Sequence, residues 1–429
     1  MKEQLNRLDP VSRREFALRT AKTALGVSLL PVGSRLATTA RAESSAPGFG
    51  KAKHVIFLWM GGGMTHIDTF DPKMGSTKGP GTPVKAKAGS GNIDYLGQYL
   101  PKLAEMANKF SLVRSMSSKT GVHEAGTYIM KTGYEPRTTI VHPSMGAWAS
   151  HFLGRIKGVT LPDSVTIGGS NSSAGFFPPA LSPVPISSAE AGLQNIRPTA
   201  SEDMFSKRVG LMNEFDAAFR EKYKSEDVKA YTEFYEETLK LLKSEDLKAF
   251  DISQEPANVK EKYGRGFGSG CLLARRLVEH GVRFVEVNLG GWDMHNQLDT
   301  SMTNNGNTLD TGLSALLTDL EAKGLLEDTL VCLGSEFGRT PDINENDGRD
   351  HYPLAYTTFF AGAGIKGGYA HGATDKDGRR VADKQATPQD FLCTIGHAMG
   401  LPVEEVVMSP SGRPFTVGDK GSPILELFA

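Results

Sequence analysis

Short apolar runs that stop at glycine alternate along this chain with amphipathic helical segments, and that alternation restricts it to a layered α/β fold. His54–Met60 (HVIFLWM) ends at Gly61-Gly62-Gly63. Val282–Leu289 (VRFVEVNL) ends at Gly290-Gly291, Thr329–Leu333 (TLVCL) at Gly334, and Thr357–Ala361 (TTFFA) at Gly362-Ala363-Gly364. Runs this short and this apolar suit strands covered on both faces, as in a parallel sheet. Between them, Phe267–His280 (FGSGCLLARRLVEH) is apolar at helical spacing and closed by Gly281. Leu309–Lys323, closed by Gly324, reads the same way, as does the segment from Thr387-Pro388 through His397, closed by Gly400. The expected fold is α/β: a doubly wound, mostly parallel sheet with helices on its faces.

The remaining segments fit that frame. Tyr99–Phe110, Glu124–Lys131 and Ser144–Leu153 read as helices, Ser111–Val113 and Leu161–Gly169 as strands. Ser170–Ile196 is rich in Ser, Pro and Ala and reads as a long surface loop. Glu202–Phe250, rich in Lys, Glu and Leu, reads as two or three helices. It forms an insertion over residues 200–262 that covers the sheet. A chain of 429 residues, 39% hydrophobic and 23% charged, suits a soluble globular protein. Beyond residue 42 no basic stripe stands out, which argues against nucleic acid as a partner.

The first 42 residues carry 8 Lys/Arg against 3 Asp/Glu and read as a targeting segment. Ser12-Arg13-Arg14-Glu15-Phe16-Ala17-Leu18-Arg19 matches a twin-arginine export signal, followed by the weakly apolar Ala21–Leu30 and an A-x-A site at Ala40-Arg41-Ala42. Residues 43–429 are then the mature domain, periplasmic or secreted. The apolar stretch falls short of the roughly 20 residues a membrane span needs, so none is expected in the mature chain. The odd count of cysteines (Cys271, Cys332, Cys393), all in apolar contexts, suggests buried thiols rather than a disulfide framework.

Ligands of open α/β sheets sit beyond the carboxyl ends of the strands. Two stretches begin there: Gly290–His295 (GGWDMH) and Gly334–Tyr352 (GSEFGRTPDINENDGRDHY). They offer Asp293, His295, Glu336, Asp350 and His351, the carboxylate and imidazole set that binds zinc and similar divalent ions. Asp293 and His295 are two apart, so in extended backbone both reach one ion. Glu336 could instead pair with Arg339, and Asp350 could orient an imidazole rather than ligate. Arg349 offers an anion clamp, or a simple turn pair with Asp350. After the first strand, Asp68 is a further candidate ligand, though Asp in a loop is often a turn former. His123 precedes a helix, where its ring and free N–H groups could face an anion.

These pieces resemble the bacterial family called domain of unknown function 1501. The resemblance rests on GGGMTHIDTFDPK from Gly61, HPSMGAW over His142–Trp148, CLLARRLVEHGVRFVEV before GGWDMHN, and GSEFGRTP before GRDHYP. It covers nearly the whole mature chain. The family is grouped with the alkaline phosphatase-like superfamily, which includes sulfatases and phosphatases. The resemblance implies that fold, a divalent metal (zinc, calcium or manganese), and small-molecule or glycan esters of sulfate or phosphate as substrates. Asp68, Asp293, His295, Glu336, Asp350 and His351 would hold the metal. His123 falls where sulfatases carry Cys or Ser and phosphatases Ser or Thr, so it is a candidate nucleophile, acid–base or ligand. Arg339 or Arg349 would contact the anion.

The chain also departs from that pattern. Gly61-Gly62-Gly63 stands where phosphatases have a metal-binding Asp, Phe337 stands where they have a ligating His, and no C/S-x-P-S-R sulfatase signature occurs. The expectation is therefore an exported, metal-dependent ester hydrolase without the usual nucleophile. The alternative is a non-catalytic metal- or glycan-binding protein on the same fold.

Overall fold

Seven consecutive apolar or aromatic-flanked residues, His54–Met60, form a fully buried strand at the middle of the sheet. In this computed structural model the described residues are 46–169, 172–194, 201–223 and 238–429, together with 228, 232 and 236. The twin-arginine segment and cleavage site expected at 1–42 lie outside them, as do parts of the expected loop and insertion.

The main sheet has eight strands: β1 His54–Met60, β2 Phe110–Met116, β3 Ser164–Ile167, β4 Val184–Ile186, β5 Phe284–Leu289, β6 Thr329–Gly334, β7 Tyr356–Ala361 and β8 Tyr369–His371. Their order across the sheet is β8-β2-β7-β6-β1-β5-β3-β4. All neighbours pair in parallel except β7, which runs antiparallel to both β2 and β6. The helices that matter here are α1 His123–Thr132, α2 Met145–Leu153, α3 Phe267–Glu279, α4 Leu298–Ala322 and α5 Pro388–Met399.

Period-two alternation divides the core between the two faces of the sheet. Ile56, Leu58 and Met60 of β1 pack with Val285 and Val287 of β5 and with α3 and α4. Val55, Phe57 and Trp59 face the other way, with Phe284, Met130 of α1, Trp148 of α2 and Phe391 of α5. The three cysteines are free and buried, one each on α3, β6 and α5, and burial pushes their thiols up.

Several elements differ from the sequence reading. The region read as one loop, Ser170–Ile196, contains a 3-10 turn at Pro179–Leu181 and the edge strand β4. Pro185 is tolerated in β4 because an edge strand needs no donor on its outer side. Helix α4 begins eleven residues earlier than Leu309, because Met302 and Gly306 are buried against the Tyr99 segment. Within the insertion, Glu202–Lys222 is an α-helix, whereas Glu245–Phe250 is 3-10. Among the described residues no helix is long and apolar enough to cross a membrane.

Candidate metal centre

The carboxyl ends of β1, β5 and β6 meet at one place, and the glycine turn after β1 fastens them together. Gly62 sits at φ +120°, and a Cβ there would come within 2.4 Å of the Asp293 nitrogen, so only glycine fits beneath the loop that follows β5. Its N–H donates to Glu336 Oε1 (2.8 Å), which ties the turn to the end of β6. In the β5 loop Trp292 and Met294 are buried, while Asp293 and His295 project the opposite way. A short antiparallel ribbon, Gly338–Arg339 with His351–Tyr352, then brings His351 back to the same point. It can do so because β7 starts at this edge of the sheet. His123 arrives as the first residue of α1.

Three imidazoles converge on one carboxylate oxygen. Asp293 Oδ1 lies 3.0 Å from His295 Nε2, 3.1 Å from His351 Nε2 and 3.4 Å from His123 Nε2. The Nε2 atoms of His295 and His351 are themselves 3.0 Å apart. Behind each ring stands an acceptor on Nδ1: Glu336 Oε1 for His123 (2.8 Å), Asp350 Oδ1 for His295 (2.8 Å) and the Gly121 carbonyl for His351 (2.7 Å). A carbonyl or carboxylate oxygen only accepts, so each Nδ1 donates outward and each Nε2 points toward Asp293. The His295 N–H beside Asp350 holds that carboxyl below the usual carboxylate range.

Imidazole nitrogens gathered round one carboxylate are a donor set that can share a cation. The buried His123 Nε2 has no hydrogen-bond partner. His123, Asp293 and His351 each offer one ligand atom within 4.8 Å of the others, and His295 Nε2 stands beside them, 3.0 Å from that of His351. The three Nε2 atoms lie 3.0–3.4 Å from Asp293 Oδ1, against roughly 3.3 Å between neighbouring donors on a tetrahedral zinc. Imidazoles whose second nitrogen is held by carboxylate or carbonyl are the usual metal-ligand arrangement. The donor set therefore fits a divalent ion.

Electrostatics and packing hold the cluster in place. Burial would raise the Asp293 carboxyl, but the Arg339 guanidinium and the surrounding imidazoles outweigh it and pull it down to about 2. Arg339 is wholly buried and spends its donors on the carbonyls of Gly62, Gly63 and Arg349, on Asp293 and, at 3.4 Å, on His295 Nε2. Phe337, fully buried, floors the site with its ring 5.1 Å from that of His123 and 4.9 Å from that of His351. Asp293 and His295 remain nearly half exposed, so the cluster opens outward.

The expected site residues thus separate into three groups. Asp293, His295, His351 and His123 meet at the centre. Glu336 and Asp350, expected as ligands, stand one step back and orient rings; the ring that Asp350 orients is His295, not its neighbour His351. Asp68 and Arg349 are not brought to the cluster. Both side chains are fully buried against each other, Arg349 Nε to Asp68 Oδ2 at 2.7 Å and Nη2 to Oδ1 at 3.2 Å. The other Arg349 donors go to the carbonyls of Thr340, Pro341 and Thr77, which leaves none for a substrate anion. Arg339, expected to contact the reacting ester, likewise meets protein acceptors. Sequence reasoning passed over the Gly121 carbonyl and Asn344, whose Nδ2 holds both Asp350 Oδ1 and the His295 carbonyl (3.1 Å each). Only the Asn-x-Asn-Asp-Gly turn chemistry hinted at the latter.

At the carboxyl edge of this α/β sheet His123, Asp293 and His351 make a cluster that could bind a divalent ion. The chain belongs to the family described as Protein of unknown function (DUF1501), whose model matches residues 52–428. No curated protein matches the sequence. Among solved structures, it is similar to a sulfatase from Pseudoalteromonas sp. at TM-score 0.41 and 12% identity, over 90% of this chain and 72% of that one. It is also similar to an alkaline phosphatase superfamily protein from Vibrio parahaemolyticus (TM-score 0.39, 10% identity, 90% and 72% covered). A third is the alkaline phosphatase of the Antarctic bacterium TAB5 (TM-score 0.33, 13% identity, 75% and 95% covered).

Proposed function

We propose that this protein is an exported, metal-dependent hydrolase of sulfate or phosphate esters, small-molecule or glycan. The observation that carries the reading is the convergence of three imidazole Nε2 atoms on Asp293 Oδ1, each within 3.4 Å and each backed by an acceptor on Nδ1. Asp293, His123, His295 and His351 would hold the ion. An imidazole-rich set favours zinc over calcium, which prefers six to eight oxygens. When bound, such an ion polarises an ester oxygen and offsets the charge that develops there.

The chain's own residues define the rest. Glu336 and Asp350 fix the ring orientations of His123 and His295. Arg339 anchors Asp293, and Phe337 keeps water from the floor. Glu336 holds His123 Nδ1, so the open Nε2 would serve as a ligand rather than as a nucleophile. One observation favours a non-catalytic reading: both arginines near the site have their donors engaged by protein acceptors.

Metal analysis and turnover separate the two. The purified protein is expected to carry stoichiometric divalent metal, lost in His295→Ala, and to hydrolyse p-nitrophenyl sulfate or phosphate. Metal without turnover would select the binding role, and protein that takes up no metal would remove both.

A further inference from the structure

The run His142–Trp148 contributes to the family resemblance yet plays no part in the metal centre. It lies beyond the other end of α1, a helix of ten residues and therefore about 15 Å long. His142 there lines a cleft of about 570 Å³.

His142 is only 1% exposed, and its hydrogen bonding leaves one donor unspent. The backbone N–H of His142 donates to the Tyr128 hydroxyl (2.8 Å), whose oxygen lies 2.7 Å from His142 Nδ1 and donates its own hydrogen there. Nδ1 is then an acceptor, so Nε2 carries the ring hydrogen. That Nε2 is buried and has no partner. Burial depresses the imidazole to about 4, which keeps it neutral. An unmet buried donor costs on the order of 1–3 kcal/mol, so one buried within a residue that lines a cleft suggests an acceptor that arrives from outside.

The rest of the wall suits a ring bearing a negative group. Tyr134 stacks flat on His142 with ring centroids 4.3 Å apart at 8°, and Phe415 meets both rings edge-on. Lys119, Arg137, Arg413 and Lys420 line the cleft against two carboxylates, Glu135 and Asp419. Glu135 is engaged by Lys119 at 3.3 Å, while the Arg413 guanidinium donates to the Thr139 hydroxyl (3.2 Å). The segment that carries Asp419 and Lys420 is held in three successive left-handed residues, Gly418, Asp419 and Lys420 (φ 63°, 44° and 65°). Two of these are not glycine, and such strain persists where the surroundings enforce it.

We propose that this cleft is a second ligand site, for an oxyanion (sulfate, phosphate or carboxylate) carried on a sugar or similar ring. The ring packs on the Tyr134–His142–Phe415 wall, His142 Nε2–H donates to the ligand, and Arg137 and Arg413 face its charge.

Calorimetric titration of the full protein tests this with three probes: inorganic sulfate, inorganic phosphate and glucose 6-sulfate. Saturable binding is expected for glucose 6-sulfate, tighter than for either inorganic ion. Tighter inorganic binding would leave an anion site without the ring contact and overturn the stated ligand class. The surface double variant Arg137→Ala/Arg413→Ala is expected to weaken binding about tenfold or more, as loss of charged hydrogen bonds does. His142→Asn should weaken it too, whereas a chelator and His295→Ala should leave it intact. No saturable binding overturns the proposal. So does binding that disappears with the chelator but ignores Arg137 and Arg413, which would place the anion at the metal centre.

Discussion

Asp350 stands behind His295 as Glu336 stands behind His123, and the two positions differ in what they can reveal. Glu336 also accepts the Gly62 N–H, so its loss would disturb the turn itself. Asp350 is exposed, and its carboxylate is hydrogen-bonded to His295 and Asn344. Asp350→Asn is therefore expected to keep the fold and lower metal affinity about 10–100-fold, the usual effect of removing a ligand's hydrogen-bond partner. Chelator competition measures this, and an unchanged affinity would remove Asp350 from the site. At this scale the Asp-x-His spacing was legible, because Trp292 and Met294 are apolar and turn inward, which leaves Asp293 and His295 outward together. Asp68 and Arg349 were not legible. They are 281 residues apart, and nothing local distinguishes a buried ion pair from a ligand and an anion clamp.

At the scale of elements, glycine punctuation located β1, β5 and β6 because each ends where the chain must turn sharply under a neighbouring loop. The direction of β7 could not be read. Parallel and antiparallel strands buried on both faces have the same apolar pattern. The reversal matters to the site: it lets the ribbon at His351–Tyr352 enter from the metal edge rather than return from the opposite one. Helix α4 was truncated in the sequence reading because its first turns are rich in Asn, Thr and Gly, and tertiary packing overrides that propensity. Helix α5 was read well, since Thr387 and Pro388 start it in the usual way. Thr387 accepts from the Asp390 N–H while Asp390 accepts from the Thr387 N–H, a reciprocal cap. Thr387→Ala should cost about 1 kcal/mol, seen as a lower urea midpoint at unchanged slope. No shift in midpoint would mean that packing alone fixes this helix.

Over the whole molecule, histidines outside the metal cluster set an acid limit. Burial lowers His54 and His66, and lowers His142 to about 4. The unfolded chain titrates near pH 6.5, so between about 6.5 and 4 it binds more protons than the folded protein. Stability should therefore be full above about pH 6.5 and fall as pH drops toward 4. Urea midpoints across that range, measured with a chelator present so that metal release does not contribute, are expected to decline with acidification. A flat profile would contradict neutral buried rings.

β1 pairs only with strands far along the chain, Val55 with Phe284 on one side and His54 with Thr329 on the other. During synthesis its seven buried residues find no neighbour until the chain has passed Leu289, and only one until it has passed Gly334. Closing loops of that length before any sheet contact repays the entropy makes early folding slow. For that interval an apolar strand with both edges open is exposed to other chains, and yield should depend on what shields it in the meantime.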